Sequence, residues 1–417
     1  PLPNPAEAAK DPKEIASIEQ LFLTGLHLEQ YRHATYNPMD YYEEALSREP
    51  GDVRCNNAMG LLWMRKGEFA KAEAHFRTAI KTLTQRNPNP YDGEPYFNLG
   101  WSCRMQGKID EAYDAFYKAA WNAAWQDASY FEIARIETIR GEYEKALESV
   151  EKSLTRNWHH HKARQLKCSL LRKMKYNEKA VAFADASLEI DSFNMGCRYE
   201  RYLASGENSD LEKLKELMRD WSHGYIEYAL DFVAGGLYEE AAGLLGLYLQ
   251  DVEKVYPIIY YLLGYICMKQ SNPSLAQEYF VKAEKCDSAY CFPNRIEEVL
   301  ILQEAVRQNP SDAKSFYYLG NFWYASRRYE NAVSCWEQSA TIDPEFPTVW
   351  RNLSLAYYNK CNNREKAVAA LEKAFALDNT DARILMELDK LYKKLGRSYA
   401  ERLTFLEKHV ALVESRD

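Results

Sequence analysis

The sequence has no apolar run long enough to cross a bilayer as a helix, and it shows no charged, apolar and small-residue succession of the secretory type. It has no Gly-rich phosphate loop, no serine nucleophile elbow and no His-Glu-x-x-His helix, so no set of groups is placed for acid/base or nucleophilic work. An excess of basic charge is missing as well: the formal net charge is −8, which argues against nucleic acid as a partner. The nine cysteines are odd in number and sit mostly inside helical patterns, as Cys103, Cys168 and Cys267 do, which suits reduced thiols serving as small apolar residues. Only Cys286 and Cys291 are close in sequence, at a spacing that fits no zinc pattern. These absences predict a soluble, cytoplasmic chain with no cofactor, no metal, no membrane contact and no enzymatic activity of its own.

What the sequence does hold is a period. Gly100, Ala134, Cys168 and Tyr202 follow one another at 34 residues, each expected at the same phase of a helix-turn-helix unit. The clearest unit runs from Ser315 to Pro344, with Phe316, Leu319, Gly320 and Trp323 on one helix and Ala332, Trp336 and Ser339 on the next. Small residues let the paired helices approach, and the large ones fill the space between successive hairpins. The same phase selects Met59-Gly60 with Ala72, Phe76 and Ala79, and Leu99-Gly100 with Ala112, Phe116 and Ala119. It also selects Ala134 with Ala146, Val150 and Ser153, Cys168 with Ala180, Ala184 and Ser187, and Ala229 with Ala241, Leu245 and Tyr248. Leu263-Gly264 with Ala276, Phe280 and Ala283, and Ser354 with Ala367, Leu371 and Ala374, continue the series. The pattern is that of a tetratricopeptide-type repeat, and the fold expected is an all-α, right-handed superhelical solenoid of helical hairpins.

Irregular places set the expected domains. Residues 1–50 read as a leader and a degenerate first hairpin, with Gly25 and Ala45 near the right phase. Residues 51–220 form a repeat array interrupted at 85–95 by a stretch too rich in Pro, Asn and Gly for a helix interior. Around Ser205-Gly206-Glu207-Asn208 one unit is shortened. The array continues over 221–288, a single long helix without a clear partner is expected within 289–310, and 311–417 holds the last units and a capping hairpin.

Several stretches are more specific than the bare repeat: LEQYRHATYNP, GDVRCNNAMGLL, NPNPYDGEPYFNLGW, FYKAAWNAAWQDASYFEIARI and RNWHHHKAR. They resemble the carboxy-terminal tetratricopeptide region of a family of large bacterial proteins, and the resemblance spans nearly the whole chain. In that family the region follows an amino-terminal β-rich domain similar to the sugar-binding β-sandwiches of mutarotases. The resemblance implies a companion β-rich domain and a setting in carbohydrate utilisation, and it carries no catalytic residue onto this chain.

Two surfaces are candidates for binding. Connections from one hairpin to the next share one edge of a solenoid, so Tyr91, Asp92, Glu94, Trp121, Asn122, Trp125, Gln126, Asp127, Trp158 and His159 to His161 are expected to stack into a ridge. Trp beside Asn, Asp and His suits stacking on sugar rings or an interface hot spot, and equally suits hydrophobic plugs folded back between hairpins. The concave groove, lined by the first helix of each hairpin, would present Asn57, Phe97, Trp101, Arg104, Phe131, Arg135, Arg172, Tyr261, Tyr265, Tyr317, Asn321, Tyr324 and Arg351. Its nearest approach to a carboxylate clamp is Tyr317 with Asn321. Arg156, Lys162, Arg164, Lys167, Arg172, Lys173 and Lys175 form a run without an acid, which is either a solvated helix face or a seat for an anionic partner. The function expected is a scaffold binding a protein: the chain's own β-rich companion, another protein, or a second copy. The alternative is a half that helps its companion bind carbohydrate.

Overall fold

The computed structural model describes residues 8–414 apart from 32 and 34, so most of the Pro- and Ala-rich leader and two residues of LEQYRHATYNP lie outside the described part. Among the described residues every regular element is helical. The chain divides into two compact units between Tyr248 and Leu249.

Unit one holds α1 (Ile18–Gln30), α2 (Pro38–Arg48), α3 (Val53–Arg65), α4 (Phe69–Leu83), α5 (Glu94–Met105), α6 (Ile109–Ala119) and α7 (Gln126–Ile139). It continues with α8 (Tyr143–Arg156), α9 (His161–Lys173), α10 (Asn177–Ile190), α11 (Met195–Ser205), α12 (Asn208–Met218), α13 (Ser222–Ala234) and α14 (Tyr238–Asp251) as far as Tyr248. Unit two holds α15 (Pro257–Lys269), α16 (Pro273–Lys285), α17 (Ile296–Gln308), α18 (Ala313–Ala325) and α19 (Tyr329–Ile342), then α20 (Pro347–Asn359), α21 (Arg364–Leu377), α22 (Ala382–Lys394), α23 (Tyr399–Glu407) and α24 (Val410–Glu414). Among the described residues, no helix is long and apolar enough to cross a membrane.

The repeat is an all-α solenoid built on one packing device. In five hairpins a glycine on the first helix faces an aromatic ring on the second so closely that a Cβ would overlap it. The added carbon would lie 2.5 Å from Tyr42 at Gly25, 2.3 Å from Phe76 at Gly60 and 2.6 Å from Phe116 at Gly100. It would lie 2.4 Å from Phe280 at Gly264 and 2.3 Å from Trp336 at Gly320. The ring thus fills space that only a missing side chain leaves open. Where the first helix carries Ala134, Cys168, Ala229 or Ser354 instead, the second offers Val150, Ala184, Leu245 or Leu371, and every one of these is buried. Within a hairpin the turn uses positive φ: +71° at Gly67, +75° at Gly107 and +74° at Gly141.

Two places differ from the regular repeat, and one of them corrects an expectation. Tyr202, the fourth member of the 34-residue series, keeps its phase, since it stands on α11 where Cys168 stands on α9, but it is only half-buried, and the buried positions of α11 include Cys197, Tyr199 and Glu200. The period breaks only beyond this point, where α11 and α12 have 11 residues each and a two-residue connection and α13 already begins at Ser222. The helix expected to lack a partner is α17, no longer than its neighbours at 13 residues, and it buries Val299, Ile301, Leu302 and Ala305 while packing against α15 and α18. Residues 286–295 form the connection leading into it. At the end of the chain α22 packs against α23, and α24 follows.

Candidate functional site

Of the edge candidates, Tyr91, Asp92, Trp121, Asn122, Trp125, Trp158, His159 and His160 precede the helices, while Glu94, Gln126, Asp127 and His161 lie in the first turns of α5, α7 and α9, and they are not alike. Tyr91, Trp121 and Trp158 are 94%, 60% and 55% exposed. Each tryptophan rests on a cation: Lys118 Nζ lies 3.8 Å from the Trp121 ring centroid, and the Arg164 guanidinium carbon 4.5 Å from that of Trp158. Trp125 is instead half-buried, its ring 4.8 Å from that of Phe97 and its Cδ1 3.2 Å from where a Cβ on Gly93 would stand. Trp125 is therefore a plug, while Trp121 and Trp158 are not.

The polar groups of the edge are spent locally. Asp92 accepts from the Glu94 N–H at 2.9 Å, which starts α5, and Glu94 accepts from Asn57 at 2.9 Å. Asn122 donates to the Tyr91 carbonyl and accepts from the Ala124 N–H, so the 85–95 insert is tied to the α6–α7 connection. Asp127 accepts from Asn157 at 3.0 Å, and Gln126 is half-buried. His159 is exposed. His160 caps α9, its Nδ1 accepting from the Ala163 N–H at 3.2 Å with its ring against Phe131, and burial holds its imidazole below the usual range. His161 Nδ1 stands 3.9 Å from an Asp191 carboxylate oxygen. The three histidines thus point to different tasks and do not converge.

In unit one the groove candidates do not face open space. Asn57 binds Asn98 as well as Glu94. Phe97 packs on Phe116 and Trp125, and Trp101 meets Phe116 edge-on. Arg104 donates to Glu132 and to the carbonyl of Ala234 on α13. Arg135 bridges Glu132 at 3.0 Å and Asp231 at 2.8 Å, with Phe131 4.1 Å from its guanidinium. Arg172 binds Glu200 at 2.6 Å and Glu240 at 2.7 Å. Phe131, Gln165, Leu166, Ser169, Phe232 and Leu237 close around a gap with room for about one water. The tip of the α13–α14 hairpin fills this face, and its residues Asp231 and Glu240 were not among the sequence candidates. Local pattern marks them only as acids on helix faces; their partners lie 96 and 68 residues away.

In unit two the aromatic candidates are structural too. Tyr261 is buried and donates to Asp312 at 2.6 Å; Tyr317 is buried against Tyr318 and Phe346. Tyr265 is half-buried, with its hydroxyl pushed up to about 12 by burial. Asn321 accepts from Trp336 and Asn352, both at 3.2 Å, and Tyr324 packs on Trp336. Arg351 makes a bidentate pair with Glu387 at 2.6 and 2.5 Å. Tyr317 and Asn321 therefore do not form a clamp.

The basic run is mostly neutralised. Lys162 pairs with Asp231, Lys167 with Glu151 and Lys173 with Glu240, at 2.8, 3.0 and 2.6 Å. Arg164 is fully buried with no carboxylate: its guanidinium lies between the rings of Trp158 and Phe183 and donates to Ser187 at 2.9 Å. Lys175 occupies a turn at φ +68°.

Glu73, Cys103 and Glu111 bring ligand-type atoms within 4.8 Å of one another. The Glu73 carboxylate, however, already accepts from Lys108, Arg77 and Gln106 at 2.7, 2.8 and 2.8 Å, and burial keeps Cys103 a thiol, pushed up to about 11. Burial alone would raise the Glu73 carboxyl, but these donors outweigh it and hold it at about 2. A carboxylate depressed in the folded state stabilises fully above its unfolded value and loses that contribution as pH falls through the folded one. Unit one is therefore expected to lose about 2 kcal/mol between roughly pH 4.5 and pH 2 through Glu73, less than the full shift because Arg77 and Lys108 are solvent-screened. Urea titrations across that range on wild type and Glu73→Gln check this: the variant's own loss should be smaller by that amount, and parallel curves would refute it.

Family models described as tetratricopeptide repeat match residues 301–348 and, separately, 258–290 and 348–381. Among solved structures, a tetratricopeptide repeat protein from Parabacteroides merdae ATCC 43184 is 22% identical over 62% of this chain and 98% of its own, with a TM-score of 0.38. YrrB, a TPR protein with an unusual peptide-binding site, is 21% identical over 58% of this chain and 99% of its own, at a TM-score of 0.22. A chain of the Naa15/Naa10 complex bound to HypK-THB is 14% identical over 96% of this chain and 64% of its own, at 0.33. With a glycine-and-ring hairpin core repeated in both units and family models matching between residues 258 and 381, the chain carries tetratricopeptide repeats.

Proposed function

We propose that the chain is a protein-interaction scaffold that engages a protein partner through the exposed aromatic edge of unit one. Tetratricopeptide hairpins imply a scaffold role, and the observation that carries the choice of surface is the exposure of Tyr91, Trp121 and Trp158 beside a groove that is filled. Large aromatic rings open to water are typical anchors of interface hot spots. A sugar site would need free polar groups beside the rings, and here Asp92, Asn122 and Asp127 are engaged in turns and interloop bonds. The first partner to try follows from the resemblance: the β-rich domain of the kind that precedes such repeats.

Titration calorimetry of the chain against that domain, produced separately, tests the reading, with wild type compared to Trp121→Ala/Trp158→Ala. Trp121→Ala is expected to change stability by less than about 0.5 kcal/mol, as for a surface position, and Trp158→Ala by more, because it uncovers the buried Arg164 guanidinium. Together they should weaken binding at least about tenfold. Trp125→Ala should instead cost roughly 3 kcal/mol of stability, the range for a large core side chain. Binding untouched by the edge variant would move the interface elsewhere, and heat evolved with simple sugars alone would favour the carbohydrate alternative.

A further inference from the structure

The hairpin tip that fills unit one behaves as a ligand would. Residues 231–240 read Asp-Phe-Val-Ala-Gly-Gly-Leu-Tyr-Glu-Glu, and they reach back across three preceding hairpins. Cations from α5, α7 and α9 converge on them. Arg135 and Lys162 share Asp231, each at 2.8 Å; Arg172 and Lys173 share Glu240 at 2.7 and 2.6 Å; Arg104 takes the Ala234 carbonyl at the negative end of α13. The facing acids on the receiving side are Glu132, which pairs with Arg104 and Arg135, and Glu200, which pairs with Arg172. Between the charged contacts Phe232 and Leu237 line one small gap together with Phe131 and Leu166.

Two features mark this closed arrangement as carrying a cost. Arg219, between α12 and α13, has φ 52° and ψ −145°, a region suited to glycine and not to arginine. One Glu240 carboxylate oxygen is buried without a hydrogen-bond partner. Both costs would end if the hairpin swung out about the 219 junction. The contact is also wet at its rim, since Lys162 is 53% exposed.

We propose that the α13–α14 tip is an internal ligand of a cationic strip on α5, α7 and α9, displaceable by an acidic protein segment whose carboxylates flank bulky apolar residues as Asp231, Phe232, Leu237 and Glu240 do. This goes beyond the edge reading and does not depend on it. The strip is held closed in cis, so an external acidic segment competes only with the tip's own differential affinity for closed and open states.

The test uses the full chain and a fluorescent synthetic peptide reproducing residues 222–251, with hydrogen exchange followed by mass spectrometry. Wild type should bind the peptide weakly. Asp231→Ala/Glu240→Ala, which disables the cis contact, should bind it at least about tenfold more tightly. Adding Arg135→Gln/Lys162→Gln should return affinity to the wild-type level. In wild type, α13 amides should exchange through an opening that leaves α9 protected. Should the double alanine variant fail to melt cooperatively, Asp231→Asn serves in its place. The proposal is overturned if a folded variant gains no affinity, or if α13 and α9 exchange only together in global unfolding. Trp121→Ala/Trp158→Ala should leave peptide affinity unchanged, which separates this outcome from that of the edge reading.

Discussion

Trp336→Ala is expected to destabilise unit two by about 3–5 kcal/mol, the range for removing a large aromatic from a core that cannot collapse. Trp336 is 3% exposed, and its indole N–H reaches the Tyr317 carbonyl and Asn321, both at 3.2 Å. It cannot be replaced by relaxation of the facing helix, because Gly320 offers no side chain to move into the gap. The same geometry predicts a sign change. Gly320→Ala alone should cost about 1–3 kcal/mol by overpacking, since its Cβ would lie 2.3 Å from the indole nitrogen. In the Trp336→Ala background that methyl has room, so Gly320→Ala should become neutral or restore stability. Urea unfolding of the four species, followed by circular dichroism, measures the cycle. An equal penalty for Gly320→Ala in both backgrounds would show that the glycine and the ring are not one packing unit.

That pair also shows what the sequence could tell. Gly320, Trp336 and their equivalents are legible because a repeat states the same local constraint many times, and helix phase follows from 3.6-residue periodicity. Tyr202 keeps that phase on α11 yet is only half-buried, because phase does not state how fully a neighbouring helix covers the position. The edge was legible as a location but not as a set of exposures: nothing local distinguishes Trp125, wedged against Phe97 and Gly93, from Trp121 lying over Lys118. The groove was the least legible. Arg104, Arg135 and Arg172 lie on α5, α7 and α9, yet whether such residues meet a partner or the chain itself depends on contacts 28 to 130 residues away. No window of helical periodicity contains that information.

Arg172 makes the consequence measurable. Its guanidinium binds Glu200 at 2.6 and 3.1 Å and Glu240 at 2.7 Å; Glu200 is fully buried, with Ser169 as its other donor at 2.7 Å. Arg172→Ala would leave Glu200 buried with a single hydroxyl donor, and the expected loss is about 3–5 kcal/mol, the range for stripping one partner from a buried pair. The loss belongs to the orphaned charge more than to the pair, so neutralising Glu200 as well should recover much of it: Arg172→Met/Glu200→Gln is expected to lie within about 2 kcal/mol of wild type. Glu240 adds a dependence on pH. Burial would raise its carboxyl, but Lys173 and Arg172 together hold it below the usual range, so its contribution is present above the unfolded carboxylate value and lost as pH falls through the folded one. Without Arg172 that acid-side loss should begin at higher pH, because Lys173 alone balances the burial. Denaturation midpoints of wild type, Arg172→Met, Glu200→Gln and the double variant from neutral pH to about pH 3 decide the matter. Single-variant losses that simply add would mean that Arg172 and Glu200 act independently, and that the groove-facing arginines are surface cations awaiting a partner and not the built-in seat of the α13–α14 tip.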